Sequence, residues 1–366
     1  MEPITHALSG AVAGCCFGKR RWWLPAWAAL VAASPDMDVF FVHTPVQYIE
    51  YHRGITHSFV GGLGLALLFA LVPWLLHRLK PARFGDTPPF SWTLPFAWLI
   101  AYLLILHHIW LDCQNSYGTQ VFLPFSDYRV RFNTLFIVDP LLLIPLSLGL
   151  LLRRTNRKVM AGLLLWTILY PFGSLAIREG LEAHLRAGHE GGQTFVQKVY
   201  GKDVIAAQQG EAKWEEVRAV HFMPDAFTPF HWKVILDRGS VWDVAGYTLF
   251  KGIPETFISY AKPPHWLWTQ LGQQDGTFRA YQRFSLYPAL EAENPLPGTR
   301  DIEYTFSDLR FGSTVRWVDD IQTRRDGKAI TFRIMARLGP DHRLEAVRFV
   351  TTSGAGGDSG WHPPTP

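Results

Sequence analysis

Four apolar runs of membrane-spanning length lie close together: Phe59–His77, Leu94–Leu111, Ile137–Leu152 and Val159–Ile177. A helix needs roughly 20 apolar residues to cross a bilayer, with a range of about 17–25. The third run is the shortest of them. So many runs in so short a stretch predict a multi-pass α-helical membrane domain rather than buried helices of a water-soluble protein. Pro73, Pro95, Pro140, Pro145 and Pro171 fall within the runs. Membrane helices tolerate them, because neighbouring helices and side chains satisfy the freed backbone groups. A shorter apolar pair, Ile4–Gly18 and Trp22–Ser34, is joined by Lys19-Arg20-Arg21. As helices these are about 20 Å long, at about 1.5 Å per residue. They fit a hairpin dipping into the membrane or two true spans. Glu2 stands where a cleaved signal peptide needs basic residues, so no such peptide is expected.

The rest of the chain is different. Residues 1–189 hold 15 Lys+Arg and 10 Asp+Glu, whereas residues 190–366 hold 20 and 21. A charge-poor half thus precedes an ordinary one. That explains why the mean hydropathy, +0.05, is too low for a chain that is membrane throughout. The second half reads as a β-rich (α+β) soluble domain over residues 190–353. Its alternating runs are Val217–Phe222, His231–Asp237, Val241–Leu249, Ile302–Phe306, Ile330–Ala336 and Leu344–Val350, with a helical stretch near Trp266–Phe284. A small sandwich or curled sheet is expected. Residues 354–366, rich in Gly and Pro, read as a disordered tail. Three Cys exclude a disulfide scaffold and a four-Cys zinc site, and a net charge of +4 does not indicate nucleic acid as a partner.

Basic residues set the expected orientation. Ten fall on one side: Lys19–Arg21, then Arg78, Lys80 and Arg83, then the four of Arg153–Lys158. The alternate loops carry three, Arg53, Arg129 and Arg131. The richer side is expected in the cytoplasm, which places the C-terminal domain outside the cell membrane.

Ionisable residues at membrane depth are costly and therefore functional candidates. They form four groups: Thr5-His6; Asp36 and Asp38 in Ser34–Asp38; His52, Arg53 and His57 in His52–Ser58; and His107, His108 and Asp112. All fall on the expected outer face, an outcome independent of the Lys/Arg count. His108 and Asp112 are spaced i, i+4 and share one helix face. Mixed His and carboxylate donors suit zinc, manganese or iron, and not copper(I). Asn115, Tyr117 and Asp127 lie in the turn-rich loop that follows, a candidate substrate loop. Asp139 opens the third long run, either as a partner orienting a ligating His or as a helix N-cap.

Thr5-His6, Pro35-Asp36-x-Asp38, His52-Arg53-Gly54-x-Thr56-His57-Ser58, His108-x-x-Leu111-Asp112 and Tyr117-Gly118-Thr119…Pro124-Phe125-Ser126-Asp127 together resemble the YdjM-like family of membrane-bound metal-dependent hydrolases. The resemblance covers roughly residues 1–180. Pro229-Phe230-His231-Trp232 and Asp308-Leu309-Arg310-Phe311 resemble the soluble extension that some members carry. The family implies a hydrolase at the inner membrane of a bacterium or the membrane of an archaeon. A more distant similarity is to zinc-dependent phospholipases C. By that analogy the metal ligands would be His6, Asp36 or Asp38, His52 or His57, His108 and Asp112. Those enzymes continue with a further His and an H-x-x-x-E helix. Here no His lies between 108 and 184, and His184 lacks the following Glu. One or two ions are therefore implied rather than three, with zinc first and manganese or iron as alternatives.

The expected chemistry is metal-assisted hydrolysis of a phosphoester, with membrane lipids as candidate substrates. Asp36 or Asp38 would bridge metals or take a proton, Arg53 would hold a phosphate, and His107 would orient a ligand. The competing classes are a transporter or metal carrier, and a non-catalytic anchor presenting the soluble domain. Transporters place coupling groups near the midplane on broken helices, whereas these cluster at span ends. Two further motifs are decoys. Gly357-Asp358-Ser359-Gly360 echoes a serine-protease nucleophile segment without its double barrel. Gly14–Lys19 lacks the glycine spacing of a phosphate loop. Cys15, Cys16 and Cys113 read as packing residues.

Overall fold

The computed structural model describes residues 1–17, 23–79, 93–187, 194–199, 209–249, 251, 254, 256–315, 318, 332–351 and 357–365. Lys19–Arg21, Lys80, Arg83 and the start of the run at Ile330 lie outside the described residues. The chain divides into two compact units. Unit 1 comprises Met1–Asp38 and Arg53–Ala176, and unit 2 comprises Val39–His52 and Ile177–Pro366.

Unit 1 is helical. α1 (Pro3–Cys15) starts on a Glu2 cap whose carboxylate accepts from Thr5 N at 3.2 Å, with Pro3 in the first turn where its missing N–H costs nothing. α2 (Leu24–Ala33) packs against it. Glycines make that approach close: a Cβ on Gly10 would lie 2.3 Å from the Ala28 carbonyl oxygen, and one on Gly14 would lie 2.6 Å from Pro25 Cα. Small residues spaced four apart are the usual means of bringing membrane helices together. A 3-10 segment (Ser34–Phe41) follows α2, and another 3-10 turn (Ile55–His57) precedes α4 (Phe59–Leu79). Ser58 Oγ caps α4 by accepting from Gly61 N at 2.9 Å. α5 (Leu94–Asp112), α6 (Pro140–Arg153) and α7 (Arg157–Ala187) complete the set.

The packing of this unit is inverted relative to a water-soluble core. Ala66, Ala70, Ala97 and Ala101 are fully buried, while Leu67, Leu68, Val72, Leu99 and Leu103 are exposed on the same helices. Small residues inside and large apolar ones outside suit a lipid surround. α4, α5 and α7 are long and apolar enough to cross a membrane. The third run is a correction. Its helix, α6, has 14 residues, about 21 Å at about 1.5 Å per residue, short of a roughly 30 Å hydrocarbon core.

Unit 2 contains α3 (Pro45–Tyr51) and a ten-stranded sheet. Its strands are β1 (Thr194–Val199), β2 (Gln209–Lys213), β3 (Ala219–Pro224), β4 (His231–Asp237), β5 (Val241–Thr248), β6 (Thr256–Ala261), β7 (Pro288–Pro295), β8 (Ile302–Asp308), β9 (Arg333–Leu338) and β10 (Leu344–Val350). β3 to β10 run as an antiparallel meander, and β1 joins β6 in parallel. The six expected strands fall on β3, β4, β5, β8, β9 and β10. Among the described residues the strands form one sheet and not a sandwich. β1, β2, β6 and β7 escaped the sequence pattern; β7, PALEAENP, has Pro at both ends and no clean alternation. The expected helical stretch is two helices, α8 (His265–Gln274) and α9 (Gly276–Phe284), broken where Asp275 caps the second by accepting from Phe278 N at 2.7 Å. Trp232, Phe257 and Phe222 form the core under β3–β6, joined by Leu181 and Leu185 from the end of α7.

Residues 357–365, expected in a disordered tail, instead lie on the sheet. Val347 bridges His362 and Val350 bridges Asp358. Asp358 pairs with Arg348, and Ser359 Oγ accepts from Phe349 N at 2.9 Å. The Gly357–Gly360 motif is thus an edge clasp.

Candidate metal centre

Unit 1 brings together polar groups from segments far apart in sequence. α1 supplies His6. The 3-10 segment after α2 supplies Asp36 and Asp38. The turn before α4 supplies His57, and the last turn of α5 supplies His108 and Asp112. Asp36, His57, His108 and Asp112 each offer one donor atom, and these atoms lie within 4.8 Å of one another. All four side chains are buried.

The hydrogen bonds around the group fix how its donor atoms point. His108 Nδ1 lies 2.6 Å from the Ala32 carbonyl oxygen. A carbonyl only accepts, so Nδ1 donates, and Nε2 is the ring nitrogen turned toward the carboxylates. It faces Asp112 Oδ2 at 3.4 Å and Asp36 Oδ1 at 3.7 Å. His108 Nε2 and Asp36 Oδ2 are buried with no hydrogen-bond partner. Buried polar atoms are almost always satisfied, so converging acceptors of this kind fit a bound cation.

His57 is held in the same manner. Its Nε2 lies 3.3 Å from both Asp36 Oδ1 and Asp112 Oδ2. On its other side Nδ1 is 3.4 Å from Asp38 Oδ2 and 3.0 Å from Thr56 Oγ1. Burial pulls this imidazole down, but its hydrogen bonds to Asp112 and Asp36 outweigh that and hold it raised, at about 9. Burial likewise pushes Asp36 up, and the facing His108, His57 and His6 overcome it, leaving this carboxyl below the usual range. The site thus favours ionised carboxylates beside a positive partner.

The other expected site residues fall around this group. Asp38 stands behind His57, and also accepts from Arg53 N at 2.9 Å. It orients a ring rather than joining the four donors. His6 stacks on His108, ring centroids 3.7 Å apart, with Nε2 3.2 Å from Asp112 Oδ1. The Met1 amino group also contacts Asp112. Of the two histidines in the His52–Ser58 motif, His57 reaches the group, while His52 ends α3 with its ring 4.7 Å from Tyr48.

Arg53, expected to hold a phosphate, is committed to the protein. It is buried in the left-handed backbone region, at φ 59°, a conformation that costs energy and clusters at functional sites. Its Nε is 3.1 Å from Asp112 Oδ2, and its Nη1 donates to Asn115 Oδ1 at 2.7 Å. Asn115 therefore clamps Arg53. The Tyr117 ring lies beside it, with the guanidinium 5.1 Å from the ring centroid. Asp127 is exposed on the loop, where its backbone carbonyl accepts from Gln120.

One expectation is corrected, for His107, and for Asp139 the cap is the alternative that the structure holds. His107 does not orient a ligand; it points to α7, Nε2 2.7 Å from Thr167 Oγ1. The i, i+1 step on a helix turns it away from His108's face. Asp139 caps α6, accepting from Leu141 N at 2.8 Å and from the Tyr170 hydroxyl at 2.9 Å. Sequence reasoning passed over Thr56, whose adjacency to His57 was a usable signal, and the Ala32 carbonyl, which as backbone gave none.

Residues 1–181 match the family described as YdjM inner membrane protein, and this region belongs to it. A curated protein of Bacillus subtilis (strain 168), "Uncharacterized protein YfhP", is 33% identical over 115 residues, covering 30% of this chain and 31% of that protein. The match spans less than a third of that relative's length. No solved structure matches the chain.

Proposed function

We propose that this YdjM-family domain is a membrane-bound metal-dependent hydrolase of a phosphoester, with its site at the outer face of the inner membrane. The observation that carries the reading is the orphaned Nε2 of His108, aimed at two buried carboxylates. Asp36, His57, His108 and Asp112 would hold the ion, a donor set suited to zinc first and to manganese or iron as alternatives. When bound, a divalent cation lowers the pKa of a water and polarises the ester oxygen. The residues of the chain do the rest. Asp38 and the Ala32 carbonyl fix the two imidazoles with Nε2 inward, the usual supporting arrangement for ligating histidines. Asp36, whose Oδ2 is unbonded, is placed to orient the attacking water by accepting a hydrogen bond from it. Arg53 balances the charge of Asp112 rather than binding substrate.

The test is purified full-length protein, loaded in turn with zinc, manganese and iron and checked for folding. It is expected to bind one or two equivalents of metal and to cleave at least one phospholipid or polyprenyl phosphate. Bound metal without cleavage of any phosphoester would overturn the hydrolase and leave the metal centre standing.

Orientation is tested separately. The excess of basic residues supports a cytoplasmic loop at 80–92 and an external C-terminal domain. Reporter fusions at residue 85 and residue 190 are expected to read cytoplasmic and extracytoplasmic respectively. A cytoplasmic signal at 190 reverses the assignment.

A further inference from the structure

The segments that deliver the donors are polar inward and apolar outward. Met37 sits between Asp36 and Asp38 and is exposed, and Ile55 is exposed on the 3-10 turn that carries His57. The loop after α5 repeats the pattern: Phe122, Phe125 and Tyr128 are exposed, Phe125 at 84%. This loop is held firmly. Thr119 and Val130 form a β-bridge, Gln120 N donates to the Arg53 carbonyl at 3.0 Å, and Phe59 N donates to the Val121 carbonyl at 3.0 Å. Its aromatic side chains are thus presented by a fixed backbone.

The patch is continuous with a face that already needs lipid. Phe122 packs edge-on against Phe59, ring centroids 5.9 Å apart. Phe59 opens α4, whose Val60, Leu67 and Leu68 carry the exposed apolar surface down the helix. A strip of exposed apolar side chains therefore runs from the flank of a candidate span to the loop that bonds the Arg53 backbone beside the metal centre. A soluble surface seldom exposes so contiguous an apolar patch.

We infer that this rim, the 121–128 loop with Met37 and Ile55, rests in the headgroup–acyl boundary of the bilayer, so that the metal centre opens onto lipid rather than onto bulk water. The occupant of the patch is the membrane itself. Irregular backbone does not survive exposed within hydrocarbon, which limits the depth to the interface. Asp127, exposed between Phe125 and Tyr128, fits that shallow level, where aromatic rings are favoured and charges stay hydrated. Apolar faces of peripheral segments enter this boundary by about 5–10 Å. The inference rests on the reading of α4 and α5 as spans and is independent of the hydrolase reading. If both hold, the substrate class narrows to phosphoesters borne by membrane lipids.

The test is nitroxide labelling of the full chain in phosphatidylethanolamine–phosphatidylglycerol vesicles, with Cys15, Cys16 and Cys113 replaced by Ala. Labels are placed by Phe125→Cys, by Leu68→Cys as the lipid reference and by Arg300→Cys as the water reference. Collision with oxygen is compared with collision with a soluble nickel chelate. The oxygen-to-nickel ratio at 125 is expected several-fold above that at 300 and below that at 68. A ratio at 125 equal to that at 300 overturns the proposal. Protection at 125 from both reagents also overturns it, because protein then covers the loop. A water-like value at 68 instead shows that the spanning reading itself has failed.

Discussion

Asp112→Asn is expected to remove bound metal to background and also to destabilise the membrane domain by about 3 kcal/mol. The two losses have different causes. Asp112 is one of the four converging donors, and its Oδ2 lies 3.3 Å from His57 Nε2 and 3.4 Å from His108 Nε2. An amide in its place offers the ion no charge. The same carboxylate is the anion for Arg53, which is 2% exposed. Breaking a buried pair on one side costs about 3–5 kcal/mol, because a charge is left without its partner. The low end applies here, since Arg53 keeps the Asn115 side chain and the Met1 carbonyl as neutral acceptors.

A folding defect alone would also empty the site, so Asp36→Asn is the companion variant. The ion pairs of Asp36 run to His57 and His108, with the Asp112 carboxylate beside it. The Asp36→Asn variant is expected to lose metal while its circular dichroism matches that of the metal-free parent and its melting temperature falls less than that of Asp112→Asn, because His57 keeps Asp112 and Asp38 as partners. Asp38→Asn should keep metal but with affinity lower by about 10–100-fold, the usual effect of removing the group behind a ligating His. Metal content is read by mass spectrometry on detergent-purified protein, and unfolding by a thermal scan with chelator. Full metal occupancy in Asp36→Asn would exclude the four-donor centre. Equal losses in Asp36→Asn and Asp38→Asn would show that the distinction between donor and orienting carboxylate is wrong.

That distinction marks where the sequence stopped being readable. His108 and Asp112 were legible as a pair, because a helix repeats every 3.6 residues and their spacing puts them on one face. Asp36 against Asp38 was not. Both lie in one short 3-10 segment, and which carboxylate faces inward depends on how Arg53 N and Thr56 claim Asp38, a tertiary matter. His52 and His57 separate for a similar reason: the chain reverses at Arg53, in a left-handed conformation that no neighbouring residue announces. The helical runs were legible from apolarity, yet the length of α6 was not, because Asp139 caps it two residues inside the run. In the second half the strands with clean alternation were readable, and β7 was not, since its Glu and Pro residues gain their place from neighbours β6 and β8.

Outside the membrane domain, Asp308→Asn is expected to cost the β-rich unit about 3–5 kcal/mol, the range for stranding one member of a buried ion pair. Asp308 and Arg310 have fully buried side chains, with Arg310 Nη2 2.8 Å from Asp308 Oδ2. The carboxylate also accepts from Arg310 N at 3.0 Å and Leu286 N at 3.0 Å, so it ties the chain after α9 to the end of β8. The guanidinium is closed in by Phe284 and Phe311, 4.6 and 4.8 Å from their ring centroids, with little water to replace its anion. Burial pushes the Asp308 carboxyl up, but Arg310 and the backbone donors hold it below the usual carboxylate range. A depressed folded pKa means that this stabilisation is present above the ordinary aspartate value, about 3.9, and is lost as pH falls through the folded value. The parent should therefore lose stability in acid over a pH range in which Asp308→Asn changes less. Hydrogen exchange in β8 and β9, followed at neutral and acid pH, reads both effects. Asp308→Leu combined with Arg310→Met should recover most of the loss, because removing both charges leaves none stranded. Exchange in Asp308→Asn indistinguishable from the parent at neutral pH would show that the pair contributes nothing to holding α9 on the sheet.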